Sequence, residues 1–451
     1  MTSERWRQAR LTLGVAAGGF TVFALLYAPQ SVLPVLATGF RLTEAEAALS
    51  VTLATLALAV GVLPLAMLSE AVGRRPVMIG ALVTAVAIGL LCPLAGDFGT
   101  LLILRAAQGL AVAGLPAVAM AYLAEEIEPG RVGAAMGRYV GANSLGGLSG
   151  RLISGLATGW GGWQSGLTAA AALATVSGLC AILLMPRSRA GRPGLRLPAV
   201  LGGVRTALRD PVLFGPYAVA MLMTGVFVAV HNVVTFRLTD APFSLAPAVV
   251  SLVFLCYAAG SGGSALAGKL ADRRGRLPVL LCAIGFVLTG LLLTLPDNLP
   301  LIVVGLTVFT GGFFAVHAVA SGWVGARAPA AARGQASAIY LLFYYLGSSV
   351  GGTLGGLVYA PFGWSGVVIM SCCWVLAAGG AAVAAGLAWR SDRGVRLAQK
   401  SRDRVIAGLA AEKLNEPRLG RVTVPVDSDT VTEGTLAGTS TTSAVGKTSP
   451  P

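Results

Sequence analysis

A few residues able to bind charge or move a proton lie inside long apolar stretches of this chain. Leu104-Arg105-Ala106-Ala107-Gln108-Gly109 sets a guanidinium and an amide one helical turn apart on one face. Gly146-Gly147-Leu148-Ser149-Gly150-Arg151 ends a run of small residues in a second arginine, and Pro29-Gln30 adds an amide beside a proline. The only two histidines, His231 and His317, also fall in apolar runs, His231 next to Asn232. An arginine within a membrane span costs at least about 2.5 to 3.5 kcal/mol unless it faces protein or water. Histidine titrates near physiological pH. These groups point to ion recognition and proton carriage. Bond-making chemistry finds no support: Gly446-Lys447-Thr448 lacks the upstream glycine of a phosphate loop, and the six cysteines form no CxxC pair.

At about 1.5 Å per helical residue, Arg105 and Arg151 reach the same depth as Tyr27, Pro29, Gln30 and Ser31. Two readings follow. Either Arg105, Arg151, Gln108 and Gln30 form a polar cluster that contacts the substrate or coupling ion, or Gln30 and the carbonyls freed by Pro29 serve only to satisfy Arg105. His231 and His317 likewise either carry a coupled proton or sit neutral among aromatic rings. Asn232, Arg237, Tyr257, Tyr340, Phe343 and Tyr344 would line an apolar pocket with a few polar fixings. No Asp or Glu falls in the middle of any predicted span, which favours a neutral, zwitterionic or anionic substrate over a lipophilic cation.

The elements that must position these groups are membrane spans. Of 451 residues, 55% are hydrophobic and only 12% charged, and 60 are glycine, with mean hydropathy +0.77. A soluble domain carries about twice that charge. Twelve apolar runs can be counted, each long enough for the roughly 30 Å core of a bilayer, and the first is too long for a cleaved signal. The net charge of +14 comes from short loops and the tail, a pattern of topology and not of nucleic-acid binding. Arg74, Arg75, Arg131, the arginines of 186–211, Arg273, Arg274, Arg276, Arg327, Arg333 and the cluster from Arg390 all land on one side, so both termini are expected in the cytoplasm. The expected order is a six-helix half at 1–185, a basic cytoplasmic linker at 186–211, a second half at 212–390, and a mostly disordered tail at 391–451. Within that tail, Val405 to Leu414 could form a short amphipathic helix.

The halves repeat. Glu70-Ala71-Val72-Gly73-Arg74-Arg75-Pro76-Val77 returns half a chain later as Asp272-Arg273-Arg274-Gly275-Arg276-Leu277-Pro278-Val279. An acid stands three residues before Gly-Arg each time, between two spans. Twelve spans in two sixes with this hairpin resemble the major facilitator superfamily, over about residues 10 to 390. Gly268-Lys269-Leu270-Ala271-Asp272-Arg273-Arg274-Gly275-Arg276 fits that family's motif; the first copy departs from it at Ala66, Glu70 and Ala71. The resemblance implies an all-α membrane protein of twelve transmembrane helices in two six-helix bundles. It also implies a cytoplasmic latch at Glu70, Gly73, Arg74, Arg75, Asp272, Gly275 and Arg276; the alternative is that these are only topogenic charges on tight turns.

Arg105-x-x-Gln108-Gly109 looks like the family's fourth-span motif associated with proton coupling. In the fifth span Arg151 stands where the family's antiporters have Gly-Pro, and the run around it looks like a bacterial exporter branch near the arabinose-efflux-type permeases. Arg151 aligns with Gly352 in the second half, so its charge is not part of the repeat. The function implied is proton-coupled efflux of a small organic compound across the bacterial cytoplasmic membrane by alternating access. The alternatives are uptake by proton symport of a neutral or anionic solute, or a non-transporting sensor. The implied protein is not an enzyme, holds no cofactor or metal, binds no nucleic acid and works as a monomer in the lipid bilayer.

Overall fold

The computed structural model describes residues 3–128, 131–188, 197–329 and 332–415. The chain divides into two compact units, Met1–Arg393, which holds all the membrane-spanning helices, and Gly394–Pro451. Among the described residues, ten helical runs are long and apolar enough to cross a membrane. Two of them, Val132–Leu184 and Arg333–Ser391, are far too long for one crossing. The first is broken by non-helical backbone at Gly161 and Gly162, the second at Gly363, and both Gly162 (φ 67°) and Gly363 (φ 60°) occupy the left-handed region that glycine reaches without cost. Each is therefore a hairpin of two spans, and the chain is an all-α protein of two six-helix halves.

The first half comprises α1 (Ser3–Tyr27), α2 (Leu33–Phe40), α3 (Glu44–Val72), α4 (Arg74–Leu91), α5 (Phe98–Val112), α6 (Pro116–Glu126) and the hairpin α7 (Val132–Leu184). Inside the predicted linker lies α8 (Leu197–Arg209). The second half comprises α9 (Pro211–Thr239), α10 (Pro247–Ser251), α11 (Ala258–Arg274), α12 (Arg276–Leu293), α13 (Leu299–Arg327) and α14 (Arg333–Asn415). Of the tail expected to be mostly disordered at 391–451, residues 391–415 are helical as the end of α14 and include Val405 to Leu414; residues 416–451, and Arg189, Arg192 and Arg196 of the linker, lie outside the described residues.

Short polar caps mark where the chain re-enters the membrane. Thr43 and Glu46 form a reciprocal capping box at the start of α3, Glu46 accepting the Thr43 N–H at 2.8 Å. Asp97 caps α5 by accepting from the Thr100 hydroxyl and N–H, and these bonds hold its carboxyl below the usual value. The cap is thus at full strength above the ordinary carboxylate range and is lost as pH falls through the lowered value. Asp210 and Asn298 cap α9 and α13 in the same way.

Three spans are not continuous. A 3-10 turn at Ala28–Val32 joins α1 to α2, a second at Leu252–Tyr257 joins α10 to α11, and α5 breaks from α6 just before Pro116. The looser hydrogen bonding of 3-10 segments turns side chains and carbonyls toward neighbours that a regular helix would not offer them.

The repeat is visible in the packing. A Cβ at Gly146 or Gly150 would fall on the α1 backbone at Phe20 and Ala24; a Cβ at Gly347 or Gly351 would fall on the α9 backbone at Met221 and Gly225. Small residues bring these helix pairs into contact, because between helices in lipid, close van der Waals packing replaces the hydrophobic drive. One apolar core forms almost entirely within each half. On the arginine-rich face, loops are tied by Arg7–Glu126 (2.9 Å), Arg74–Glu125 (3.0 Å), Arg75 to the Met185 carbonyl (3.0 Å) and Arg327–Asp210 (2.6 Å).

Gly351→Val should lower the detergent melting temperature strongly, an overpacking cost of about 1 to 3 kcal/mol. Gly285→Ala, whose Cβ would meet nothing within 4 Å, should leave it level or raise it. Equal melting temperatures for the two variants would contradict this packing.

Candidate functional site

Arg105 sits on α5 and is 2% exposed. Its Nε donates to the Ser50 carbonyl of α3 at 2.8 Å; Nη1 donates to the Leu25 carbonyl at 3.1 Å and to Gln108 Oε1; Nη2 donates to the Leu26 carbonyl at 2.5 Å. Gln108 Nε2 then donates to the Ala85 carbonyl of α4 at 3.0 Å. One guanidinium and one amide thus tie α1, α3, α4 and α5 together through main-chain oxygens. The Leu25 and Leu26 carbonyls lie just before the 3-10 turn that opens at Ala28. Gln30 is not among the partners of Arg105, so the two predicted arginines do not share one cluster.

Arg151 is built differently. Its Nε donates to Gln30 Oε1 at 2.6 Å and its Nη1 to the Gly147 carbonyl one turn back at 2.7 Å. Gln30 Nε2 donates onward to Asn232 Oδ1 of α9 at 2.7 Å. Arg151, Gln30 and Asn232 are buried, and together they form a directed chain across the seam between the halves. The guanidinium lies 4.4 Å from the Tyr27 ring centre and 4.5 Å from that of Tyr257, with Phe254 at 5.4 Å. Tyr27 belongs to the first half; Tyr257 and Phe254 sit on the 3-10 turn of the second. Desolvated cation–π contacts of this kind are worth about 2 kcal/mol or more each. Among the described residues no carboxylate pairs with Arg151.

The same seam carries Thr52–Thr353 (3.2 Å) and Thr55–Ser349 (2.9 Å) between α3 and α14, and Ser251 fills the space beside Gly155. Among the described residues, the side-chain hydrogen bonds joining the halves all lie at or beyond mid-span, toward the face opposite the arginine-rich one. At that face a cavity of about 420 Å³, lined by Pro34, Thr38, Glu44, Phe236 and Asp240 among others, sits on the seam. Partial burial, then the charge of Glu44, push the Asp240 carboxyl above its ordinary value.

The two histidines part company. His231 is fully buried, with Nδ1 on the Phe227 carbonyl at 2.8 Å and Nε2 near Cys256 Sγ at 3.8 Å. It is packed against Phe227, Phe254, Tyr257 and Phe309. His317 of α13 is half-buried; its Nδ1 meets the Tyr340 hydroxyl at 2.9 Å, and its ring lies 4.9 Å from that of Tyr344. A phenol donates to a neutral imidazole and accepts from a protonated one, so this pair stays bonded in either charge state. Ring contacts run from Tyr257 through Phe227 and Phe313 to His317. Arg237, a predicted pocket residue, is instead held by the Thr294 carbonyl, Asp297 and the Trp364 face.

The charged hairpins share one backbone. Gly73 (φ 104°) and Gly275 (φ 89°) end α3 and α11 in the left-handed half of the map, each donating its N–H at 3.0 Å to the carbonyl four residues before it, Ser69 or Ala271. Arg74 is engaged within the first half by Ser69 (2.7 Å), Glu125 and, at 3.9 Å, Glu70; Asp272 is exposed and Arg276 half-buried. Sequence reasoning missed Phe254, Thr52 and Ser349. The Phe254 and Tyr257 spacing was readable as an aromatic pair, but not the 3-10 turn that aims it at Arg151.

Arg105→Ala strands several buried carbonyls at about 1 to 3 kcal/mol each. It should cut the yield and melting temperature of purified protein well below those of Arg151→Ala, and the reverse ranking would show that Arg105 is no tie between helices.

Comparison with known proteins accords with this architecture. The profile of the Major Facilitator Superfamily matches residues 15–256 and 234–426. The inner membrane transport protein YnfM of Escherichia coli (strain K12) is 44% identical over 359 residues, covering 79% of this chain and 86% of that protein. The MFS-type transporter YybF of Bacillus subtilis (strain 168) is 38% identical, covering 80% and 89%. Among solved structures, the inward-facing, occupied form of a bacterial homologue of the human lysosomal transporter Spinster superposes with a TM-score of 0.68 at 15% identity, covering 85% of this chain and 97% of that one. The chain is a multi-pass membrane protein that belongs to the Major Facilitator Superfamily, a family of transporters and not of enzymes.

Proposed function

We propose that this protein is a proton-coupled secondary transporter that exports a small organic compound across the bacterial cytoplasmic membrane by alternating access. The observation that carries the reading is the hydrogen-bonded chain Arg151–Gln30–Asn232, which bridges the two halves from α7 through the 3-10 turn at Ala28–Val32 to α9. A site made of groups from both halves is remade each time the halves rock, which is what alternating access about a midplane site requires. The location is supported by the inner-membrane relative, and the arginine-rich face is read as cytoplasmic by the positive-inside rule.

In this reading the hydroxyl and amide seam closes the extracellular side. The hairpins at Glu70, Gly73, Arg74, Arg75 and at Asp272, Gly275, Arg276 form the cytoplasmic latch of the alternate state, in which an acid at a helix end meets the positive end of a neighbouring helix. His317 with Tyr340 carries the proton, since its bond survives both charge states and, unlike His231, it is not fully buried. His231, enclosed by rings of its own half, and the Arg105–Gln108 tie are structural.

Proteoliposomes holding the purified protein, loaded with a panel of dyes, amino acids, sugars and organic anions, should release at least one compound faster under an imposed inward proton gradient. Release indifferent to the gradient would remove the antiport reading, and gradient-driven accumulation would assign symport. His317→Gln should abolish the response to the gradient while leaving gradient-free exchange within a few-fold, and His231→Gln should leave the response intact in whatever protein folds. Ending the chain at Arg393, the last residue of the membrane unit, should leave flux per molecule unchanged; a sensor acting through its tail would instead lose its output.

A further inference from the structure

Resting on the transporter reading, we infer that the substrate is an organic monocarboxylate whose carboxylate binds the free edge of the Arg151 guanidinium. Arginine has five N–H donors, and the hydrogen bonds of Arg151 occupy Nε and one position on Nη1. The rings of Tyr27 and Tyr257 pack against it, with centres 4.4 and 4.5 Å from the guanidinium carbon. What stays open is the in-plane edge formed by Nη1 and Nη2, and the partner that matches this fork is a planar carboxylate taking two parallel bonds.

Charge points the same way. Arg151 is 2% exposed inside a membrane span, and among the described residues no acid pairs with it. Its compensation comes from one amide oxygen, one carbonyl and aromatic faces. A buried cation without a counter-ion is costly, and an incoming anion removes that cost. One cation calls for one negative charge. The other buried arginines are committed, Arg105 to main-chain carbonyls and Arg237 to Asp297 and the Thr294 carbonyl. A dianion such as a phosphate monoester would bring a charge nothing in this layer matches.

Unspent polar atoms surround the edge. Asn232 Nδ2 and the Tyr257 hydroxyl are buried without a protein partner. Asn232 is already in the Arg151 chain and Tyr257 already covers the guanidinium. These atoms give a second tier of hydrogen bonding for a carboxylate or for a hydroxyl beside it. From Tyr257 the ring contacts continue through Phe227 and Phe313 to His317 and Tyr344, so the surroundings that lead away from the arginine are apolar and aromatic.

The test is equilibrium binding to the full-length protein in detergent, read by tryptophan fluorescence and thermal shift. The probes are matched trios of equal shape: benzoate, benzamide and benzylammonium; indole-3-acetate, its amide and tryptammonium; hexanoate, hexanamide and hexylammonium. At least one carboxylate should bind with its amide and ammonium partners at least about 30-fold weaker, the loss expected when one side of a buried charged pair is removed. Arg151→Gln should erase that preference; Arg151→Lys, which keeps the charge without the fork, should keep the sign of the preference at lower affinity. Binding of amides or ammonium ions in preference to every carboxylate, no binding by any carboxylate, or an unchanged preference in a folded Arg151→Gln would each overturn the assignment. The wild-type comparison stands whether or not the variants fold. Binding is read without a gradient, so a failed charge preference is distinct from a failure of proton-coupled flux.

Discussion

A guanidinium held in the membrane without a carboxylate is the constraint around which this protein is arranged. At 2% exposure it has little access to water, and among the described residues no acid neutralises it, so the groups within reach must be oxygen lone pairs or the negative faces of rings. Arg151 draws an amide from α1's 3-10 turn, a carbonyl from its own helix, and rings from both halves. Satisfying one side chain thus requires the 3-10 turns of both halves to stand at one level, facing each other across the seam. Arg105 meets the same demand by another route, spending its donors on main-chain oxygens of α1 and α3. One arginine is closed off by the fold, and the other leaves an edge for something the fold does not contain.

The duplication makes that contrast sharper. The glycine contacts of α7 on α1 and of α14 on α9 superimpose residue for residue, and Gly73 and Gly275 turn the chain with the same backbone. A duplicated scaffold supplies two equivalent frames. Function enters where the frames differ: Arg151 in one and Gly352 in the other, where a Cβ would meet Asn232, Val228 and Thr52. Close packing of small residues gives both frames their rigidity, and a single charged side chain polarises the space between them.

Much of this was legible in the sequence, for reasons that can be named. Span positions follow from hydropathy and cap residues, because each helix entering lipid must satisfy its backbone internally. The hairpin repeat was visible because an acid, a glycine with positive φ and an arginine recur in one register. Counting depth put Gln30 in one layer with Arg151, and the structure bonds the two. That counting also placed Arg105 beside them, and there it misled, since depth says nothing about direction around a helix. Arg105 faces the carbonyls of Leu25 and Leu26, more than a turn before Gln30. The two histidines looked alike in sequence because each lies in an apolar run. Only the packing separates His231, ringed by Phe227, Phe254, Tyr257 and Phe309, from His317, which is half-buried and bonded to Tyr340. The helix in the basic linker was obscured by its glycines and prolines.

Gln30 carries a consequence of its own. A primary amide has one end that only receives protons and one end that only gives them, so its two bonds are of opposite sense: oxygen toward Arg151, nitrogen toward Asn232. Turning the amide over would set nitrogen against guanidinium and oxygen against the Asn232 oxygen, losing both links together. The residue therefore works as a polarised coupler with a single valid setting, and whatever takes the arginine away from its oxygen also loosens its hold on the opposite half of the molecule.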